Sequence, residues 1–285
     1  GTTAANTAIV HAGYDPLPNT LKARMNVKGN AMWDTLAGEL NFAFERRGDF
    51  VVAVGDEEFP ELETLMTFAK KNGVPGCQIL SGPEVRRREK NITPDVSGAL
   101  WASTGGICDP FAVTVAAAEN AVMNGAEVRL NTAFEDFIMD GDQIIGIKTN
   151  QGDIMSRWVI NCAGLYSDFV MHQAGVRPEF KIQPRKGEYF VFDRADVQID
   201  NVLFPVPTEK GKGILVTTTV HGNTILGPNA EIIDDKDNTS TTTFGMNEIW
   251  EGANKLVPSL SKKHVIATFA GLRPMGNAPC KTPGV

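Results

Sequence analysis

Four cysteines in 285 residues (Cys77, Cys108, Cys162 and Cys280) are scattered, with no C-x-x-C pair and no histidine at metal-ligand spacing. That excludes a disulfide framework and a zinc site of the usual kinds, and no other metal site is expected. No apolar run approaches the roughly 20 residues a membrane span needs. Nor is there a charged-then-apolar start of the secretory kind, so reduced thiols and a cytoplasmic location are expected. Basic residues are short as well: 27 Lys and Arg face 34 Asp and Glu, a net charge of -7. Nucleic acid is a poor partner for such a chain, because phosphate binding rests on clustered cations. The basic cluster Arg86 to Arg88 reads as a solvated face. No G-x-S-x-G and no H-E-x-x-H occurs, which removes the common serine hydrolase and zinc protease signatures.

What is present is an ordinary globular composition, 42% hydrophobic and 21% charged. Leu21, Met25, Trp33, Leu36 and Leu40 predict a helix capped by Thr20 and interrupted near Gly29. Phe50 to Val54 reads as a short buried strand, and Pro60 to Lys71 as a helix closed by Gly73. Asp109-Pro110 should open a helix that ends at Gly125. Glu127 to Leu130 and Trp158 to Cys162 read as strands, with hairpins between them turning at Asp140-Gly141-Asp142 and Gln151-Gly152-Asp153. Leu165 and Tyr166 beside Trp158 read as core. Beyond Pro184, strands at Tyr189 to Phe192, Gly213 to Val220, Thr224 to Leu226 and Val265 to Gly271 predict a largely antiparallel sheet. A helix from Phe244 to Leu256 interrupts it.

Five stretches, in order, carry a resemblance. They are Thr2 to Asp15 with its H-x-G (His11-Ala12-Gly13), and Asn161 to Asp168 (N-C-A-G-L-Y-S-D). Then come Arg185 to Tyr189 (R-K-G-E-Y), Phe204 to Pro207 with Gly227-Pro228 downstream, and Ala270 to Pro274 (A-G-L-R-P). Together they span almost the whole chain, which resembles the D-amino-acid-oxidase-like FAD-dependent oxidoreductases. Within that superfamily it is most similar to the glycerol-3-phosphate dehydrogenases, with the L-2-hydroxyglutarate dehydrogenases as the neighbouring group. The resemblance implies an α/β (mixed α+β) fold, in which a Rossmann-like FAD-binding domain is interleaved with a largely antiparallel substrate domain. Residues 1–41 and 109–180 would belong to the former, and 42–108 and 181–285 to the latter.

The chain departs from that family in one respect. Its Gly-x-Gly pair, Gly211 and Gly213, has Val216 where the G-x-G-x-x-G fingerprint needs its third glycine, so the turn that holds a pyrophosphate is absent. The expectation is a truncated flavin domain in a fragment that does not retain FAD by itself, the full-length parent being the FAD enzyme.

The resemblance assigns the site residues. His11 is placed at the flavin, as ring contact or as the base that takes a hydroxyl proton. Arg273 is implied to grip a phosphate or carboxylate with its forked guanidinium, although an arginine at a strand end is otherwise often a surface ion pair. Lys186 and Tyr189 of the R-K-G-E-Y stretch are further substrate candidates. Thr2, Thr3, Asn6, Thr7, Gly13, Val128, Ala163 and Gly164 are the cofactor candidates, Val128 through its backbone. A plain tight turn accounts for Ala163-Gly164 equally well. His172, His221 and His264 match no motif and read as structural. The implied reaction is oxidation of glycerol 3-phosphate to dihydroxyacetone phosphate. Electrons would leave through FAD to a quinone or a partner protein, at a peripheral inner-membrane position if a quinone is the acceptor. L-2-hydroxyglutarate oxidation is the enzymatic alternative, and a non-catalytic anion- or partner-binding module the alternative of another class.

Overall fold

The computed structural model describes residues 1–176, 180–194, 197–207 and 213–276; Gly211 and Cys280 lie outside them. A turn of 3-10 helix, Thr2–Ala4, precedes β1 (Ile9–Val10) and α1 (Leu21–Leu40). Thr20 caps α1 as predicted, its hydroxyl accepting from the Ala23 amide at 3.1 Å. The interruption expected at Gly29 does not occur. A glycine inside a helix costs only about 1 kcal/mol relative to alanine, too little to break a helix of 20 residues.

Next come β2 (Phe44–Arg46), β3 (Asp49–Val54) and α2 (Phe59–Asn72), which Gly73 closes in the left-handed region at φ 74°. The stretch without clear periodicity forms β4 (Cys77–Ser81), α3 (Gly82–Arg88), β5 (Val96–Ala102) and β6 (Gly106–Cys108). α4 (Pro110–Met123) leads to the small sheet of β7 (Phe134–Asp140), β8 (Gln143–Thr149) and β9 (Ile154–Met155), turning where predicted. After α5 (Ser167–Gln173) follow β10 (Ile182–Phe192), β11 (Val202–Pro205), β12 (Leu215–Thr218), β13 (Thr224–Gly227) and β14 (Glu231–Ile232). α6 (Thr243–Leu256) and β15 (Val265–Gly276) complete the described chain.

The framework is a nine-stranded sheet in the order β14-β10-β13-β12-β11-β3-β5-β4, with β15 paired to β10. Among the described residues it is antiparallel except where β11 lies beside β3. Its register fixes which residues share a face. Phe190, Leu226, Val216, Leu203 and Phe50 are successive cross-strand partners. All five belong to one apolar cluster, with Ile249 and Leu256 of α6. Side chains alternate along a strand, so Tyr189, Phe204 and Val51 point to the other face. There Val51 and Phe204 pack with Leu62 and Leu65 of α2 and with Tyr14. β3 is buried on both faces, which explains its uninterrupted apolar sequence.

Two expected strands are not strands. Glu127 to Leu130 and Trp158 to Cys162 run without a sheet partner among the described residues, and most of their side chains are exposed. Both segments have the β-rich composition, but a strand is defined by the neighbour that takes its backbone hydrogen bonds. Trp158 is 86% and Ile160 84% exposed, and Tyr166 is also exposed, so this stretch is not core among the described residues. α4 carries no buried residue, and its Phe111, Val115 and Met123 are exposed as well.

Asp109 holds the start of α4. One carboxylate oxygen accepts from the Phe111 and Ala112 amides at 2.8 and 3.2 Å, and the other lies 3.0 Å from His221 Nε2. Burial pushes this carboxyl up, but the His221 contact and the two amides outweigh it and hold it below 3.8. A depressed folded pKa stabilises above the unfolded value, and that contribution is lost as pH falls through the folded one. Asp109→Ala should therefore cost about 1 kcal/mol at neutral pH and flatten the acid limb of the stability profile. Urea unfolding at pH 7 and near pH 3 checks both.

Candidate active site on one face of the sheet

His11 emerges where the three-stranded sheet β1-β6-β2 ends. Its imidazole lies with its centroid 5.8 Å from the Phe204 ring, tilted by 36°. That contact places it on the α2-side face of the large sheet. Its carbonyl accepts from Asn30 Nδ2 at 3.0 Å. Gly13 follows at φ 108°, and a Cβ there would stand 2.7 Å from Val27 Cγ2 of α1. Gly13 is thus buried in a turn that only glycine fits, a packing reason for the H-x-G spacing.

The same face carries Tyr189 and Arg273. β10 and β15 pair through Arg185↔Arg273, Gly187↔Gly271 and Tyr189↔Phe269, so these six share one side. Tyr189 stacks flat on Phe269, centroids 4.5 Å apart. Burial pushes its hydroxyl pKa up to about 12, against the pull of the nearby Arg273 cation. Arg273 itself is exposed. It makes no hydrogen bond or ion pair among the described residues, and the residue directly across from it is a second cation, Arg185.

The amino-terminal turn sits on β15. Thr2 Oγ1 donates to the Leu272 carbonyl at 2.5 Å, and a Cβ at Gly271 would strike the Ala5 carbonyl. Asn6 closes the turn, donating to the Thr2 and Thr3 carbonyls and accepting from the Ala8 amide. Thr3 is exposed and Thr7 half-buried. The geometry therefore brings His11, Tyr189, Arg273 and the Thr2–Thr7 turn to one side of the sheet.

Lys186 is not with them. One residue from Arg185, it faces α6, where it is 3% exposed. Its Nζ lies 3.5 Å from both Glu188 and Glu231. Glu188 is fully buried and accepts from the Thr242 amide and hydroxyl at the start of α6. Val128, in the partnerless 127–130 segment, is exposed. A cleft of about 370 Å³ beside it is lined by Glu127, Arg129, Phe134, Ile147 and Ile154. None of those residues lies on the His11–Arg273 face, and Arg129 is already paired with Glu127 at 2.7 Å.

Ala163 and Gly164 are exposed at the entry to α5, and nothing lies within 4 Å of a Cβ added to Gly164. A ligand could approach this backbone without displacing a side chain. Asn161 shapes the turn, accepting from the Ala163 amide and donating to the Ser167 carbonyl. Asp168 ties it to the sheet, accepting from the Ile182 amide at 2.9 Å and from Lys236 Nζ at 2.8 Å. Burial raises the Asp168 carboxyl, but Lys236 and the Ile182 and Phe169 amides win and hold it low. Tyr166 donates to Asp237 at 2.6 Å.

Motifs did not point to Asn30 or Arg46, and they assign no role to Glu188, inside the R-K-G-E-Y stretch. The one available signal was Asn30 recurring seven positions after Ala23, on the buried side of α1.

Residues 1–283 match the family model for the DAO family, FAD dependent oxidoreductase. A glycerol 3-phosphate dehydrogenase from Caloramator mitchellensis is 43% identical over 273 residues, 95% of this chain and 56% of that one. The chain thus spans about half the length of that relative. A glycerol 3-phosphate oxidase from Mycoplasma genitalium is 30% identical, over 95% of this chain and 73% of its own. Among solved structures, the dithionite-reduced L-alpha-glycerophosphate oxidase from Mycoplasma pneumoniae with FAD bound superposes with a TM-score of 0.88 at 28% identity. The match covers 97% of this chain and 74% of that one. A match running from the amino-terminal turn through Arg273, with a mixed α/β fold to go with it, settles the family: the chain belongs to the DAO family of FAD-dependent oxidoreductases.

Proposed function

We propose that this chain carries the substrate face of an enzyme that oxidises glycerol 3-phosphate to dihydroxyacetone phosphate. The observation that carries the reading is Arg273, an exposed guanidinium without an ion pair among the described residues, on the same sheet face as His11. FAD, when bound, supplies the hydride acceptor. The protein's part is to bind, orient and take a proton. Arg273 holds the phosphate with two parallel hydrogen bonds. The Tyr189 hydroxyl, kept protonated by burial, is a donor to the same anion. His11 takes the proton from the secondary hydroxyl as the C–H bond is broken.

Residues 1–41 and 109–180 belong, in this reading, to the flavin domain, and 42–108 and 181–285 to the substrate domain. The exposed apolar side chains of α4, of the 127–130 segment and of the 158–162 segment support it, because large apolar groups left open to solvent suit surfaces made to be covered. No described helix is long and apolar enough to cross a membrane. Electrons leave to a quinone at the membrane surface or to a partner protein.

L-2-hydroxyglutarate dehydrogenases, 28% identical in Salmonella houtenae, give the second reading, with Arg273 on a carboxylate. Anaerobic mixing of the flavin-loaded full-length enzyme with each substrate separates the two. Glycerol 3-phosphate should bleach the flavin and L-2-hydroxyglutarate should not; the reverse overturns the proposal. A protein that takes up no flavin at all supports the non-catalytic module. Arg273→Leu should raise KM for glycerol 3-phosphate about 10–100-fold, the worth of a charge-assisted contact of about 1.5–3 kcal/mol. An unchanged KM removes Arg273 from the site.

A further inference from the structure

We propose that Asn30 is a positioning residue that fixes the His11 backbone, within a relay running Asp34–Arg46–Asn30–His11. The inference rests on His11 acting as the base and adds the group that holds it. β1 is only two residues long, so the ladder ends at Val10↔Gly106, one residue before His11. A two-residue strand is a weak anchor for a side chain that must meet a reacting atom to within a fraction of an ångström. The next tie is the amide of Asn30.

Asn30 is buried at 6% exposure in the middle of α1, where an amide adds nothing to helix stability. Every polar atom of its side chain is engaged. Nδ2 donates to the His11 carbonyl at 3.0 Å and to the Thr104 carbonyl at 2.9 Å, and Oδ1 accepts from Arg46 at 2.9 Å. The two carbonyls flank the β1–β6 pairing from either side, so one amide spans the end of that sheet. Arg46 is itself fully committed. It donates to the Thr104 carbonyl, to the Asn30 carbonyl at 2.9 Å, and to Asp34 at 2.6 Å, and its guanidinium lies over the Phe44 ring. Asp34 is exposed, and its hydrogen bond with Arg46 lowers its carboxyl pKa despite a small opposing burial effect. A planar cation with all its donors spent cannot swing, so the Asn30 amide has one orientation. Polar networks of this kind rigidify when every member is satisfied. The ladder at Val10, the Asn30 amide on its carbonyl and Phe204 against its ring all hold His11.

The test is a double-mutant cycle in the FAD-loaded full-length enzyme, with Asn30→Asp and His11→Asn. Aspartate keeps the size and the acceptor for Arg46 but loses both donors. N30D alone should lower kcat about 10–100-fold, the cost of a misplaced catalytic group, with KM changed less than about twofold. In the H11N background N30D should change kcat by less than about twofold, because it acts through the imidazole. Equal losses in both backgrounds, or no loss from N30D alone, overturn the inference. Near-normal kcat in H11N alone overturns instead the reading of His11 as base. Positioning is then judged by NMR of protein labelled at histidine Cε1. N30D should move the His11 resonance and leave those of His172, His221 and His264 in place; an unmoved His11 signal refutes positioning by itself. If N30D does not fold, Arg46→Lys, which keeps the charge and loses the fork, must move the same resonance.

Discussion

Replacing His11 with asparagine should slow flavin reduction by glycerol 3-phosphate about 10²–10⁴-fold, the range over which a positioned acid–base group contributes. Asparagine is close to imidazole in size and still polar, so packing against Phe204 changes little and the loss reports proton transfer. A base must be unprotonated to act, so kcat/KM for the native enzyme should fall as His11 takes up a proton at low pH. The variant should lack that limb. Stopped-flow reduction under anaerobic conditions, across pH 5 to 9, reads both. If His11 serves only as a wall of the flavin site, the variant instead loses FAD affinity and keeps the acid limb at a rate within a few-fold of normal. The geometry favours proton transfer because His11 is half-buried and shares its face with Arg273, which has no ion pair among the described residues. A substrate anchored by its anion at Arg273 would bring its hydroxyl back toward the amino-terminal loops rather than toward α6.

Local punctuation carried most of what could be read from sequence. Asp109-Pro110 and Gly125 bracket α4 because capping and helix termination are properties of a few adjacent residues. The two hairpin turns followed from Gly141 and Gly152, both in the left-handed region. What failed needed a partner that lies far away in the chain. Trp158 to Cys162 has the side chains of a strand, yet no described strand lies beside it to make it one. The R-K-G-E-Y stretch could be located, but which of its alternating side chains face the site could not. Strand parity is absolute, and one residue separates Arg185 beside Arg273 from Lys186 beneath α6. Asn30 and Arg46 were invisible for a related reason. A polar residue on a helix and a charged one at a strand end both look solvated until the fold brings Thr104 and His11 against them. The family motifs picked out candidate positions, several of which the fold brings to one face, whereas the supports of those positions had no local signature.

Lys186→Met should destabilise the fold by about 3–5 kcal/mol while leaving KM for glycerol 3-phosphate within about twofold of normal. Lys186 is 3% exposed and Glu188 is fully buried. Removing the ammonium leaves a carboxylate in the interior with the Thr242 amide and hydroxyl as its remaining donors. One of its oxygens, Oε2, has no hydrogen-bond partner among the described residues. The helix N-terminus at Thr242 softens the loss, because its amides and dipole favour negative charge, so the lower part of that range is the better expectation. Glu188→Gln on top of Lys186→Met should recover much of the stability, since a neutral amide needs no counter-ion and Thr242 can still donate to it. The cycle is decided by denaturant unfolding of the four proteins together with steady-state KM for each. A large KM increase in Lys186→Met with little loss of stability would mean that the ammonium reaches the substrate after all. It would have to pass between β10 and β15 to do so. The β10–β15 ladder blocks that route, and the space over Gly187 and Gly271 is filled by Pro228 and Ala5. The ion pairs to Glu188 and Glu231, on the far side of the sheet, hold the lysine away from it.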